Sequence, residues 1–489
     1  MPGFPLQYPS DRELTGGDLL AQCLKHLGVD VAFGLHGGHL DAFLMGCESI
    51  GIRLIDTRHE TVAVQAAEGY SRISMKLGLL NNALQGSIDQ VVAARPFTKF
   101  AHRVVVPEEC PRIVSHAIRV AQTGAPGPDE EALQAAVELL AASKRPVIIT
   151  GSGSKHPETR DAINRLAETC NIPIFNTSKH ADFTSNFLPQ TSLFFSAPGR
   201  GMYLGGRSGA IIPSQGCKLV QVDCDGTEIG RSLPVDLGIV SDVGSFVTAM
   251  NDKVTLASQE IDKPWVQSIL DLASLESPFE NEASETEFGT LHPYHAMKQV
   301  MSAIEPGSII ILDGGEASAW ASDLAVHAQP SVVLTSTGYL GFLGNGFGYS
   351  LSCAIADPDR KVVNIQGDGS AGFHLMELDT YKRFNLDIMT DIVYGSMNPV
   401  RPISALSSAT EYEVVAKGLQ NAVAKISHIS EIRSTVAKLQ AQSGPSCINL
   451  IVDRKPVHPI TTAMVGLTDD PHSVVVPYYD NIPRAYYKV

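Results

Sequence analysis

The sequence predicts an α/β protein made of several doubly wound parallel sheets, on three observations. Strand-like apolar runs alternate with helix-like runs along almost the whole chain, the pattern of parallel strands joined by covering helices. Several strands end in Gly-containing turns that feed helix starts, which is where open α/β sheets place their ligands. A chain of 489 residues also exceeds what one compact core organises, so two to four domains are expected.

The elements follow in order. Leu19, Leu20, Cys23, Leu24 and Leu27 give Asp18 to Leu27 a helical spacing. Val29 to Leu35 reads as a strand ending in His36-Gly37-Gly38-His39. Ile52 to Asp56 is the next strand, and Glu60 opens a small-residue helix running to Lys76. A composition shift at 123–128 marks a boundary. Beyond it come a helix from Asp129 to Ser143, a strand from Pro146 to Thr150 and a strand from Lys218 to Val222. Gly151-Ser152-Gly153 and 205–209 lack the full spacing of a nucleotide fingerprint and read mainly as turns. The acidic, Ser-rich stretch Leu275 to Phe288 reads as a linker. A third region then begins with helix Pro293 to Ile304 and strand Ser308 to Leu312, followed by Asp313-Gly314-Gly315-Glu316. A Gly-rich turn at 338–344 and a small-residue helix to Ala356 precede the next strand. The chain closes with a helix over Glu431 to Gln440 and the strand Cys447 to Val452.

Composition bounds the function. With 44% hydrophobic and 18% charged residues the chain is globular rather than disordered. Its 52 acidic and 37 basic residues give a net charge of −15, which argues against nucleic acid as a general partner. The cysteines at 23, 47, 110, 170, 217, 224, 353 and 447 form no Cys-x-x-Cys pair and read as reduced core residues of an intracellular protein. No secretory signal, membrane-length apolar run, or peroxisomal or endoplasmic retention signal is visible, so a soluble, cytoplasmic protein is expected.

The stretch 361–370 is the most informative: a buried strand ending in Gly367-Asp368-Gly369-Ser370. Glycines on both sides of a carboxylate let backbone N–H groups approach an anion while the carboxylate faces a cation. The helix start behind the turn adds unpaired N–H groups for phosphate. A metal-bound diphosphate is the expected ligand, although Gly-Asp-Gly alone is more often an ordinary turn.

Order makes the signal specific. A strand leading to His59-Glu60 lies near the amino end, Gly-Asp-Gly-Ser near the carboxyl end, and Asn398 follows Gly369 after 28 intervening residues. This resembles the thiamine diphosphate-dependent enzymes, in the branch of acetolactate synthase, benzoylformate decarboxylase and benzaldehyde lyase, with a particular likeness to benzaldehyde lyase. The likeness is carried by 33–41, by 55–60, by Ala67-Glu68-Gly69-Tyr70-Ser71-Arg72, by 84–90 and by Gly338-Tyr339-Leu340-Gly341.

The resemblance implies three α/β domains. They are a shortened pyrimidine-binding domain over 1–125, a central domain over 126–274 and, after a linker at 275–290, a diphosphate-binding domain over 291–489. It implies thiamine diphosphate and Mg²⁺ as cofactors, and a homodimer or homotetramer with the active site between subunits. Glu60 would hydrogen-bond the aminopyrimidine ring and favour the tautomer that takes the thiazolium proton. A carboxylate in an apolar cleft shares a proton readily with a weakly basic ring. Asp368, the Asn398 side-chain oxygen and the Val400 carbonyl would hold Mg²⁺, which prefers six oxygens. Gly315, Glu316, Gly367, Gly369 and Ser370 would surround the diphosphate, Leu343 would wedge the cofactor into its bent form, and the Gly341 carbonyl would receive its amino group. His39 and Gln85 match polar residues that face the substrate. Read without the family, Glu60 could cap its helix, His36 and His39 could be loop histidines, and Gln85 a surface amide.

The chain also departs from the family. Segments that members carry have no counterpart after Gly78, after Pro128 and within Gln190 to Tyr203. Gap-free counting from Asp368 puts Gly395 at the metal-ligand position, and Asn398 restores the ligand only with a loop three residues longer. Asp387 and Asp391 are costly in a buried strand, on the order of several kcal/mol if unpaired. The expected function is a thiamine diphosphate- and Mg²⁺-dependent lyase or carboligase acting on 2-hydroxyketones, 2-oxo acids or aldehydes. The alternative is an inert member that keeps the fold and dimerises with an active relative.

Overall fold

The structure, a computed structural model, describes residues 14–37, 40–74, 79–81, 91, 100–104, 107–122, 127–151, 154, 157–176, 218–226, 228–230, 235–254, 261–273, 277–286, 289–335, 342–394, 406–407, 410–458, 473–475 and 483–485. Strands and helices alternate as expected, and the predicted elements lie within a few residues of their expected bounds.

In the first region, α1 (Gly16–His26) starts at a capping box, in which Thr15 and Asp18 satisfy each other's backbone N–H groups. It is followed by β1 (Val31–Gly34), α2 (Asp41–Ser49), β2 (Arg53–Asp56), α3 (Glu60–Ser74), β3 (Leu79–Asn81) and α4 (Cys110–Gln122). The strands form a parallel sheet in the order β2-β1-β3. Alternation along β1 separates two cores: Ala32 joins Leu24, Phe43 and Cys47, whereas Phe33 faces Val62, Ala66 and Tyr70 of α3.

The central region contains α5 (Glu130–Ala142), β4 (Ile148–Thr150), α6 (Pro157–Cys170), β5 (Ile174–Asn176), β6 (Val220–Asp223), β7 (Leu237–Val240), α7 (Val243–Lys253) and α8 (Lys263–Ala273). Asp129 caps α5 by accepting from the Glu131 and Ala132 N–H groups, so a helix does begin directly after the boundary region, as the sequence predicts. The pairs β4-β5 and β6-β7 are parallel and share one core around Leu133, Ile163, Ile239 and Phe246.

The third region holds α9 (Pro293–Ala303), β8 (Ile309–Asp313), α10 (Glu316–Leu324), β9 (Val332–Thr335), α11 (Gly346–Ala356), β10 (Val362–Gly367), α12 (Asp368–His374), α13 (Glu377–Arg383), β11 (Ile388–Tyr394), α14 (Tyr412–Gly418), β12 (Ala422–Ile426), α15 (Ile429–Gln440) and β13 (Ser446–Ile451). Its six parallel strands run in the order β12-β13-β11-β10-β8-β9. One face packs on α9, α10 and α15. The other packs on α11, α13 and α14, and α3 of the first region closes that layer. The acidic stretch before α9 lies against this region. Glu280 accepts from the Tyr294 hydroxyl and from Lys298, and Glu285 accepts from the Ile429 N–H. β14 (Ser473–Val475) and β15 (Pro483–Ala485) form an antiparallel pair. No helix among the described residues is long and apolar enough to cross a membrane.

Candidate functional site

The sheet of the third region reverses its order between β8 and β10. From β8 the chain runs outward to β9 and returns on the other side of β8 as β10, leaving a crevice at the strands' carboxyl ends. β10 ends in Gly367 there, and Gly314 directly follows β8. Gly314 has a φ of +100°, and a Cβ on it would stand 2.8 Å from the Gly367 nitrogen, so only glycine lets the two turns lie this close. A Cβ on Gly315 or Gly369 would meet nothing within 4 Å, so the backbone at both positions faces open space. Gly315 precedes α10 and Gly367 precedes α12. The backbone of two helix starts therefore borders one space, which fits a diphosphate.

A buried polar network holds the turns from behind. The Ser370 hydroxyl lies 2.7 Å from Gln366 Oε1 and 2.9 Å from the Gly367 carbonyl. The Gln366 amide donates to Asn364 Oδ1 at 2.8 Å, and Asp313 Oδ2 accepts from the Gly346 N–H at 2.7 Å, which fixes the start of α11. The Ser370 hydroxyl thus points inward, and what it offers an anion is its backbone. Glu316 is similar, since its Oε2 accepts from the His458 N–H at 2.9 Å. Asp368 begins α12, is 9% exposed, and accepts from the Gly369 N–H at 2.7 Å. Among the described residues no three His, Cys, Asp or Glu side chains converge on a point. The set implied here is of another kind: one carboxylate, one amide oxygen and one carbonyl. Asp368, the carboxylate of that set, lies where β10 meets α12, beside the Gly314–Gly367 crossing, while Asn398, Val400 and Gly395 lie outside the described residues, as do His39, Gln85 and Gly341.

Glu60 reaches the same neighbourhood through helix packing. Glycines let α3 and α11 approach closely: a Cβ on Gly69 would stand 2.2 Å from the Ser352 hydroxyl, and one on Gly348 would stand 2.4 Å from the Gln65 Cβ. Gln65 donates to Asn345 at 2.8 Å, and the Tyr349 hydroxyl donates to Glu68 at 3.0 Å. The start of α3 consequently lies beside Gly344, and half-buried Leu343 immediately precedes that glycine. The Glu60 carboxylate is 43% exposed, with His59 Nδ1 at 4.0 Å.

Some residues that position the site escape a linear reading. Glu377 is buried and accepts from the Arg58 N–H at 2.8 Å and from the Thr380 hydroxyl at 2.7 Å, which anchors the loop before Glu60. Burial pushes its carboxyl up to about 7, against the opposing effect of those hydrogen bonds. Arg383 donates to the Asp56 carbonyl at 2.8 Å. Asn364 and Gln366, two polar residues in an otherwise apolar strand, were the available signal for the network.

Three family models match in chain order: the N-terminal TPP binding domain of thiamine pyrophosphate enzymes over residues 14–85, their central domain over 133–195 and their C-terminal TPP binding domain over 313–450. The chain belongs to the thiamine pyrophosphate enzyme family. It is therefore a thiamine diphosphate-dependent enzyme, and the last of these matches contains both glycine turns. The acetolactate synthase large subunit IlvG of Mycobacterium tuberculosis is 25% identical, over 91% of this chain and 97% of its own length. That alignment spans 540 positions against the 489 residues here, so this relative carries stretches without a counterpart in the chain. A 2-hydroxyacyl-CoA lyase of Arabidopsis thaliana is 24% identical over 90% of this chain and 96% of its own. A crystal structure described as that of a thiamin diphosphate-dependent enzyme from Mycobacterium smegmatis shares the fold. Its TM-score is 0.73 at 16% identity, over 90% of this chain and all of that one.

Proposed function

We propose that this family member is a Mg²⁺-dependent carbon–carbon lyase or carboligase acting on 2-hydroxyketones, 2-oxo acids or aldehydes. The close crossing of the Gly314 and Gly367 turns carries the reading, because it brings two helix starts together next to Asp368 with open space at Gly315 and Gly369. When bound, thiamine diphosphate supplies the nucleophilic carbon and the electron sink for breaking or making the carbon–carbon bond. The chain's own residues do the remaining work. Backbone N–H groups at Gly315, Glu316, Gly369 and Ser370 receive the diphosphate. Asp368, Asn398 and the Val400 carbonyl hold the metal, with Gly395 as the competing position for the second of these. Leu343 and Gly341 fix the cofactor, Glu60 holds a proton at its aminopyrimidine ring, and His39 and Gln85 orient the substrate carbonyl.

The acetolactate synthase and 2-hydroxyacyl-CoA lyase relatives support the substrate classes. Phe342 and Phe373, 58% and 62% exposed near the cleft, support burial against a second copy in a homodimer or homotetramer. The cysteines form no Cys-x-x-Cys pair, and Cys47, Cys353 and Cys447 are buried, which supports a cytoplasmic setting. Calorimetry with thiamine diphosphate, with and without Mg²⁺, tests the reading, together with product analysis on benzoin and pyruvate. The expected result is Mg²⁺-dependent binding that Asp368→Ala abolishes, and turnover that falls about 10²–10⁴-fold in Glu60→Gln. Absence of binding sinks the reading, and binding without turnover leaves the inert member.

A further inference from the structure

The chain that leaves β13 returns to the start of α10 and takes hold of a carboxylate there. After Ile451 it pairs with Leu291, where the Asp453 N–H donates to the Leu291 carbonyl at 2.7 Å. It then reaches His458, which is 3% exposed. The His458 backbone N–H donates to Glu316 Oε2 at 2.9 Å, and its ring Nε2 lies 2.9 Å from Asp323 Oδ2. The ring also stands perpendicular to that of Trp320, with centroids 4.6 Å apart. Glu316, Trp320 and Asp323 are spaced four and three residues apart, so they share one flank of α10, and His458 spans that flank.

Stability does not explain this arrangement. Glu316 Oε1 and Asp323 Oδ1 are both buried and have no hydrogen-bond partner among the described residues. A half-satisfied buried carboxylate costs the folded state free energy, and α10 carries two of them on one flank. Their placement supplies a reason. Glu316 is the first residue of α10 and directly follows Gly315, where a Cβ would meet nothing within 4 Å. Its backbone therefore belongs to the turn that borders the proposed diphosphate space, while its side chain ends in a carboxylate. Released into that space, the carboxylate would face the diphosphate, and like charges repel more strongly near a protein surface than in bulk water. Held on the flank by the His458 N–H, the same residue offers the space only its backbone.

We propose that His458 and Asp323 are positioning residues for diphosphate binding, which together keep the Glu316 carboxylate out of the space at Gly315 and Gly369. His458 supplies the N–H that Glu316 accepts, and Asp323 with Trp320 fixes the His458 ring so that this N–H stays in place. Both act through Glu316 rather than on the anion. The inference rests on the proposed function in taking that space as the diphosphate site.

The test is calorimetric titration of the full-length chain with inorganic pyrophosphate and, separately, with thiamine diphosphate, both with Mg²⁺ present. His458→Pro removes both the N–H and the ring, and should weaken pyrophosphate binding about ten-fold. Asp323→Ala leaves the backbone N–H in place and should weaken it less, by about three-fold. Adding Glu316→Gln to His458→Pro should restore most of the affinity, because the amide carries no charge. The ratio of wild-type to His458→Pro affinity should also fall toward one at high salt, which screens the repulsion. If His458→Pro does not fold, Asp323→Ala with and without Glu316→Gln carries the same test. Unchanged binding overturns the proposal. So does a loss that Glu316→Gln fails to rescue or that salt leaves unaltered, since a merely structural role predicts both. Wild type that binds pyrophosphate but not thiamine diphosphate would overturn the proposed function and leave this inference standing, whereas wild type that binds neither overturns both.

Discussion

β10 and β11 are neighbours in one parallel sheet, both buried, and both carry polar side chains in their interiors, yet they treat them in opposite ways. On β10, Gln366 bonds Ser370 and Asn364, and only the Asn364 amide nitrogen lacks a partner among the described residues. On β11, Asp391 is fully buried and neither carboxylate oxygen has a hydrogen-bond partner among the described residues. Desolvation pushes its carboxyl from 3.8 up to about 7. Buried polarity on β10 is scaffolding for the glycine turns, whereas on β11 it is a cost. β11 is also the strand that precedes Asn398, the proposed second metal ligand.

The comparison predicts that the same kind of substitution has opposite signs on the two strands. The largest effect is expected at Asp391. A carboxyl lifted from 3.8 to about 7 costs the folded state about 4 kcal/mol at pH 7. Asp391→Val should therefore raise the unfolding free energy by about 2–4 kcal/mol in a denaturant titration at pH 7. The sign follows from linkage. The raised carboxyl's contribution is fully present below pH 3.8 and is lost as the pH rises through about 7. The wild type should accordingly lose stability between these values and the variant should not. A destabilised Asp391→Val would show that the carboxylate has a partner and would break the contrast.

Gln366→Met comes next, with the opposite sign. It deprives the Ser370 hydroxyl and the Asn364 oxygen of their bonds at similar volume, and should cost about 2 kcal/mol. Its cofactor affinity by calorimetry should fall as the turns loosen. Unchanged stability would mean that the β10 network is not a scaffold.

The smallest effect is expected at Glu377, whose carboxyl is also pushed up to about 7 but which has two donors. Glu377→Leu relieves a buried carboxyl while stranding the Arg58 N–H and the Thr380 hydroxyl. These effects oppose each other, so a net loss of about 1 kcal/mol is expected. Turnover should fall more than stability does, because the loop before Glu60 loses its anchor.

Much of the site was legible in linear order. Glycine on both sides of Asp368 carries local backbone chemistry, and its order with the His59-Glu60 pair far upstream made that signal specific. The cost of Asp391 was also legible, because a carboxylate inside an apolar strand is expensive in a sheet's centre, but the same expectation failed for Asp387, which precedes β11 and is paired with Lys361 at 2.8 Å. Glu377 was not legible: it stands in an ordinary-looking helix, and what it holds is a backbone N–H 319 residues away. His458 was not legible for the same reason, since its meaning depends on Glu316 and Asp323, 142 and 135 residues earlier.

By itself, then, the sequence determined the alternation of parallel strands and helices, the turns fit for a diphosphate and the carboxylates beside them. These follow from local period, glycine backbone freedom and charge. Tertiary structure alone decided that the sheet reverses between β8 and β10, that Gly314 meets Gly367 there, and that Gly69 and Gly348 let α3 bring Glu60 to the same cleft. These are close approaches between segments far apart in the chain, set by packing that no local pattern encodes.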